Sequence, residues 1–318
     1  MSDLSEAKPA GTPATALGLT GYLAPEGYLD QLRHELGEPP ALEIGRLLFL
    51  SGPPRPIAWA ANVWREPSRL EIRSIKDGAR QLRAIQRNWV LYSHARHRRA
   101  ALIAAELPKV SAKPSIFPSL PPSAPLGSWT LLDERTIIAA AECSSPFPNG
   151  EVAFVEDREG PPNRAYLKLW EALTLAGRWP QAGETCLDLG ASPGGWSFAL
   201  AKLGARVISV DKAPLDAKIA ALPNVETRRQ SAFALEPAEI GAVDWLFSDI
   251  VCYPDRLLGL VGKWLATGLC RNMVCTIKFQ GPTDFAAQAR FAALPGRLIH
   301  LHHNKHELTW IALDLAHA

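Results

Sequence analysis

One run of this sequence, Thr185 to Asp211 (TCLDLGASPGGWSFALAKLGARVISVD), restricts the possible folds more than any other. Cys186-Leu187-Asp188-Leu189 reads as a short, largely apolar strand of the kind buried on both faces of a sheet. Gly190, Ser192, Pro193, Gly194 and Gly195 then make a loop that neither helix nor strand can continue through. From Trp196 the apolar residues Trp196, Ala199, Leu200 and Leu203 recur at helical spacing, and Gly204 stands where a helix ends. Arg206–Val210 is a second strand, with Asp211 at its carboxyl end. A ligand at such a unit sits beyond the strand ends, where glycines admit close backbone approach and the carboxylate holds ribose hydroxyls.

The loop Gly190-x-x-x-Gly194-Gly195 does not match the dinucleotide fingerprint, and it lacks the Lys-Ser/Thr ending of a P-loop. The form D-x-G-x-x-P-G-G-W, Asp188 through Trp196, resembles motif I of S-adenosylmethionine-dependent methyltransferases, specifically the FtsJ-like ribose 2′-O-methyltransferases. That resemblance implies S-adenosyl-L-methionine as cofactor, held by Asp188, Gly190, Ser192, Pro193, Gly194, Gly195, Trp196 and Asp211, with Ser231 and Asp249 alongside. Gly194 and Gly195 are expected to lack side chains so that the methionine portion can pass over them. Gln230-Ser231 departs from the family, which carries an acidic residue near the adenine; Ser231 is left to hydrogen-bond the ring.

Four charged residues fall where the acceptor should lie. Asp249 and Lys278 each follow an apolar strand at its carboxyl end, Val243–Phe247 and Met273–Ile277. Glu307 opens the final strand, and an antiparallel direction for that strand puts its start on the same edge. Lys168 is on the helix before the first strand. K-D-K-E in this order resembles the catalytic set of the same family, and the likeness extends from about residue 140 to 315. It implies that Lys278 takes the proton of a ribose hydroxyl, itself a poor nucleophile, as it attacks the methyl group. An ordinary lysine, with a pKa of about 10.4, is mostly protonated. Desolvation and the neighbouring Lys168 would favour the neutral amine; Asp249 and Glu307 oppose that shift while orienting it.

At 318 residues the chain has room for two domains. Residues 1–20, rich in Ala, Pro, Thr and Gly, are expected to be a disordered tail. Residues 21–143 are expected to form a smaller α+β RNA-binding domain, 144–163 a linker, and 164–318 an α/β, Rossmann-like methyltransferase domain closed by an antiparallel pair of strands. In the first of these, Leu29–Leu36 has the spacing of a helix ended by Gly37, Leu42–Leu50 and Ile57–Val63 are candidate strands, and Ser128–Leu132 with Thr136–Ala141 reads as a hairpin. Net charge is only +2, so a nucleic-acid surface has to come from clustering. The cluster is Arg73–Lys113, with Arg80, Arg83, Arg87, Arg96, Arg98 and Arg99 interleaved with Trp89, Tyr92, His94 and His97. Its sign imbalance and aromatic residues fit phosphate contact with base stacking. The N-terminal part loosely resembles a THUMP-containing region. The family resemblance implies an RNA partner, with a cytidine of 23S rRNA or of a large-subunit precursor as acceptor.

No apolar run approaches the roughly 18 residues of a membrane span, and no export signal opens the sequence. Five cysteines without paired spacing suit reduced thiols in a cytoplasmic protein, and the polar run His302–Glu307 has no metal-ligand spacing. Other acceptors fit less well. Base-carbon methylation needs an attacking cysteine, and Cys252 stands too loosely after Asp249; amino-group methylation of nucleic acid commonly shows Asn/Asp-Pro-Pro, where this chain has Ser248-Asp249-Ile250-Val251. A small-molecule O-methyltransferase would leave the basic segment unexplained, and a non-catalytic RNA-binding or assembly factor would leave K-D-K-E unexplained.

Overall fold

The computed structural model describes residues 14–111 and 113–315. Its C-terminal half is a seven-stranded sheet whose strands we number β1 (Thr185–Leu189), β2 (Arg206–Val210), β3 (Val225–Arg228), β4 (Val243–Ser248), β5 (Cys270–Lys278), β6 (Arg297–Ile299) and β7 (Glu307–Ala312). Their spatial order is β3-β2-β1-β4-β5-β7-β6, and only β7 runs against its neighbours. The order reverses between β1 and β4, which opens a crevice at their carboxyl ends. The helices are α1 (Tyr166–Ala176), α2 (Gly195–Lys202), α3 (Ala217–Ala220), α4 (Pro237–Ile240), α5 (Pro254–Thr267) and α6 (Phe285–Ala292). Alternate strand residues serve two cores. Cys186, Val207, Trp245, Phe247 and Val274 pack under α1 and α2, while Leu187, Leu189, Leu246, Met273 and Cys275 pack under α5 and α6.

The N-terminal half is two five-stranded sheets laid face to face. One takes, in order, Thr15–Ala16, Ser68–Glu71, Thr136–Ala140, Gly127–Leu131 and Trp89–Leu91; the other takes Glu142–Cys143, Asn62–Arg65, Leu19–Leu23, Leu47–Ser51 and Leu42–Ile44. Pleat alternation sorts each strand's side chains into layers. Ile138 and Ala140 meet Leu47, Phe49 and Trp64 between the sheets. Ile137 and Ala139 face outward, under the helices Ile75–Ile85 and His97–Ala105. On the far side of the second sheet, Tyr22, Leu48 and Leu50 join the same core as Trp264, Met273 and Trp310.

The halves are therefore packed into each other. Trp59 is wholly buried, and its indole donates to Gln288 of α6 at 2.9 Å. Glu35 accepts from the Ala58 and Trp59 amides, each at 2.9 Å, and from Gln288 at 2.8 Å. The His300 amide donates to the Ala58 carbonyl at 2.8 Å. The expected disordered tail needs correction. Residues 1–13 lie outside the described residues, but Thr15–Ala16 pairs with Ser68–Arg69 and Leu19–Leu23 is an interior strand. Composition misled there because long-range pairing with Leu47–Ser51 and Asn62–Arg65, rather than a local pattern, makes Leu19–Leu23 a strand. Leu42–Leu50 is two strands broken at Gly45, whose φ of +57° makes the turn, and Ile57–Ala61 is irregular, with the strand starting only at Asn62.

Candidate active site

The carboxyl edge of the seven-stranded sheet gathers the four charged residues into one network. β5 and β7 run antiparallel in a register that sets Lys278 opposite Glu307. Asp249 follows the last residue of β4, and α1 lays Lys168 across them. Lys168 Nζ donates to Asp249 Oδ1 at 2.8 Å and to Glu307 Oε1 at 3.0 Å. Lys278 Nζ donates to the Asp249 carbonyl oxygen at 2.6 Å and lies 3.1 Å from Asp249 Oδ1. The two lysines thus share one carboxylate oxygen, while Glu307 holds Lys168 only. Burial pulls the Lys168 ammonium down, but the Asp249 and Glu307 carboxylates outweigh it and keep its pKa above the ordinary lysine value. Lys168 stays a cation.

Between β1, β2 and β4 lies a cavity of about 400 Å³ lined by Asp188, Gly190, Ser192, Gly195, Trp196, Asp211, Asp249 and Lys278, among others. A second, of about 220 Å³, shares Gly190 and Asp211 with it and adds Ser231, Phe233 and Arg256. Together they fit S-adenosylmethionine: carboxylates face the space where a sulfonium and an ammonium would sit, and an apolar slot adjoins for a planar ring. Asp211 accepts from the Ser192 amide at 3.0 Å and the Ala213 amide at 2.9 Å, which pins the loop to the end of β2. Pro193 and Gly194 lie outside the residues that line either cavity.

Gly194 has a backbone requirement of its own. Gly194 sits at φ +116°, where a side chain would be strained, and its Cβ would come 3.0 Å from Ile219. A Cβ on Gly195 would come 2.3 Å from the Asn163 side-chain oxygen. The backbone therefore requires Gly194 before any cofactor does, whereas Gly195 meets only the end of the Asn163 side chain and borders the larger cavity.

Asp188 is buried at the base of the cavity. Burial pushes its carboxyl up to about 7; the Ser197 hydroxyl, donating at 2.6 Å, pulls against that, and the Asp249 and Asp211 charges add to it. A carboxyl whose folded pKa is raised contributes stability that is fully present below its unfolded pKa and lost as pH rises through the folded one. Asp188→Asn cannot ionise. In the protein without cofactor, denaturant unfolding should show wild type losing stability relative to Asp188→Asn between pH 5 and pH 8, by a few kcal/mol. A gap that does not change with pH would mean that Asp188 is ionised throughout that window.

Three further contributors carry no sequence signal. Glu171, one helical turn beyond Lys168 and 2% exposed, accepts from the His302 amide at 2.7 Å, the His303 amide at 3.0 Å and His303 Nδ1 at 2.6 Å. It fixes the loop that delivers Glu307. Tyr28 and Trp59 come from the N-terminal half and stand against His300 and His306. Only their contacts in the fold identify them.

The expected RNA-binding arginines are at the opposite end of the layers, on and beside the two outer helices. Arg87 and Arg98 are exposed and make no ion pair among the described residues. Arg80 pairs with Asp77, Arg83 donates to the Glu106 carbonyl, Arg96 donates weakly to the Leu132 carbonyl at 3.4 Å, and Arg99 is half-buried. Beside these helices is a cavity of about 640 Å³, bordered by Asn88, Lys109, Lys113, Asn149 and His302. Among the described residues no cluster of His, Cys, Asp or Glu could hold a metal, and no helix is long and apolar enough to cross a membrane.

Residues 161–258 match the family model of the FtsJ-like methyltransferases. Curated relatives include ribosomal RNA large subunit methyltransferase M of Azoarcus sp. (strain BH72), 36% identical over 42% of this chain and 38% of its own. The protein of the same name from Halorhodospira halophila is 34% identical over 58% of this chain and 56% of its own. The chain spans about half the length of the curated relatives it matches. Among solved structures, the fibrillarin pre-rRNA processing protein of Methanococcus jannaschii is 16% identical over 46% of this chain and 74% of its own; its TM-score of 0.36 carries no weight.

Proposed function

We propose that this chain is an FtsJ-like methyltransferase that transfers a methyl group from S-adenosylmethionine to a ribose 2′-hydroxyl of RNA, a cytidine of 23S rRNA or of a large-subunit precursor. The observation that carries the reading is the Lys168–Asp249–Lys278–Glu307 network, assembled from four separate elements at the mouth of a cavity suited to the cofactor. The bound cofactor supplies an electrophilic methyl; the chain supplies alignment and a base. As a neutral amine, Lys278 has two N–H groups and one lone pair. One N–H donates to the Asp249 carbonyl and Asp249 Oδ1 stands 3.1 Å away, an arrangement that can leave the lone pair to take the hydroxyl proton at Nζ. Lys168, held as a cation, fixes Asp249 and Glu307 in place. Alignment at such a site accounts for up to about 7–11 kcal/mol of barrier reduction.

The basic outer helices then hold RNA, in the cytoplasm, with no membrane or metal required. Support is the run of arginines with Arg87 and Arg98 unpaired among the described residues. The test incubates the protein with labelled S-adenosylmethionine and rRNA from cells lacking the gene, followed by mapping of 2′-O-methyl groups. One new cytidine 2′-O-methyl is expected. In the same system, Arg87→Glu with Arg98→Glu should lower the slope of log affinity against log salt by about one to two, leaving cofactor affinity unchanged. An unaltered slope would return those helices to an ordinary solvated face, and label confined to bases or protein would overturn the 2′-O assignment.

A further inference from the structure

Two flanks of the charged network are occupied by side chains that the reaction chemistry leaves unused. On the Asp249 side, Val251 and Tyr253 are each 71% exposed, in the loop that directly follows Asp249. Val251 borders both cavities, and between the two residues Cys252 lies close enough to feel the Lys278 and Arg256 charges. Large apolar groups held in water at the rim of a site mark a contact surface. The nearby Arg256 is committed to the Phe233 ring, 3.9 Å from its centroid, so this flank is aromatic rather than cationic.

On the Glu307 side stands Tyr28, half-buried and contributed by the N-terminal half. Its ring is 4.8 Å from His300 and lies nearly parallel to His306, 13° apart in plane with centroids separated by 6.0 Å. His306 immediately precedes Glu307 and is itself held by Thr283 Oγ1 at 2.7 Å. Neither tyrosine hydroxyl has a hydrogen-bond partner among the described residues. Burial and the Glu307 carboxylate push the Tyr28 phenol up, so it remains a donor.

We propose that these flanks receive the base of the acceptor nucleotide, unstacked from its neighbours in single-stranded RNA, with Tyr253 on the Asp249 side and Tyr28, backed by His306, on the Glu307 side. The inference rests on the reading of the site as an RNA ribose methyltransferase. A 2′-hydroxyl can be brought onto Lys278 Nζ only if its nucleotide is held, and the network itself offers charges for the ribose but nothing flat for a base. Aromatic faces supply that grip without requiring a particular base, because every base has a π-face. It follows that the N-terminal half contributes directly to the acceptor site as well as carrying RNA on its outer helices.

The experiment compares Tyr28→Leu, Tyr253→Ala and Tyr253→Phe with wild type. Methyl transfer is measured on unmodified 23S rRNA, cofactor affinity by calorimetry, and base stacking by the fluorescence of a single-stranded RNA oligonucleotide carrying 2-aminopurine. Tyr253 is so exposed that its loss should not disturb the fold. Tyr28→Leu and Tyr253→Ala should each lower kcat/KM for RNA about ten- to a hundredfold while cofactor affinity stays put. Tyr253→Phe should remain within about threefold of wild type, because the ring stays, and 2-aminopurine quenching should weaken in Tyr253→Ala, where only the Tyr28 face is left. Wild-type methylation of rRNA with unchanged kcat/KM and unchanged quenching in both ring-removing variants would overturn the proposal and leave the functional reading standing. Absence of rRNA methylation by wild type would instead bring down the functional reading, and this inference with it.

Discussion

Lys278→Arg should keep its affinity for S-adenosylmethionine and for RNA yet lose methyl transfer by about a hundred- to ten-thousandfold. Arginine preserves a positive charge at the same place, with donors enough for the Asp249 carbonyl and carboxylate. It cannot surrender a proton in a protein, so it has no lone pair to offer the ribose hydroxyl. Geometry singles out Lys278 for this test. Among the described residues its Nζ has two polar contacts, 2.6 Å and 3.1 Å, both to Asp249, and it borders the cavity. Lys168, by contrast, is held as an ammonium between two carboxylates and makes a poor base. A Lys278→Met enzyme, lacking both charge and base, should be no more active than Lys278→Arg. Single-turnover methylation of rRNA by the three proteins decides the matter. More than a tenth of wild-type rate in Lys278→Arg would exclude the lysine base and leave alignment alone to carry the reaction.

Most of the C-terminal half is legible from sequence because parallel strands buried on both faces are near-continuous apolar runs. Four of them end at or beside a charged residue on the crevice edge: Asp188 near the end of β1, Asp211 after β2, Asp249 after β4, Lys278 closing β5. Even the closing antiparallel strand follows from the short spacing between Arg297 and Glu307. The N-terminal half is legible only in part. The helix Leu29–Leu36 and the hairpin around Asp133 are local, and local signals find them. Leu19–Leu23 pairs with strands two dozen or more residues on, and Leu47–Leu50 is apolar on both faces because a second sheet lies behind it. Neither fact leaves a period in the sequence. Tyr28, Trp59 and Glu171 are invisible for the same reason: each takes on its role through contacts with loops far along the chain.

Lys168→Met should cost stability as well as activity, which separates it from the change at Lys278. The Lys168 ammonium is 11% exposed and holds together Asp249 and Glu307 carboxylates that are 15% and 8% exposed. Methionine fills nearly the same volume and removes the cation. Glu307 is then a buried carboxylate with no cationic partner, and Asp249 keeps only Lys278. Taking one member out of a buried ion pair costs about 3–5 kcal/mol, chiefly because the remaining charge is stranded. Set against a whole-protein stability of about 5–15 kcal/mol, that is a large loss, read as a lower denaturant midpoint. The double variant Lys168→Met with Glu307→Met removes the stranded charge too and should recover most of the stability, since a buried pair replaced by apolar groups of similar size is often neutral. It should not recover methyl transfer, because Asp249 would still lack the partner that directs its Oδ1 toward Lys278. A single variant within about 1 kcal/mol of wild type would show that the network contributes little to the fold. Activity regained along with stability in the double variant would show that Lys168 serves the reaction only by keeping the site folded.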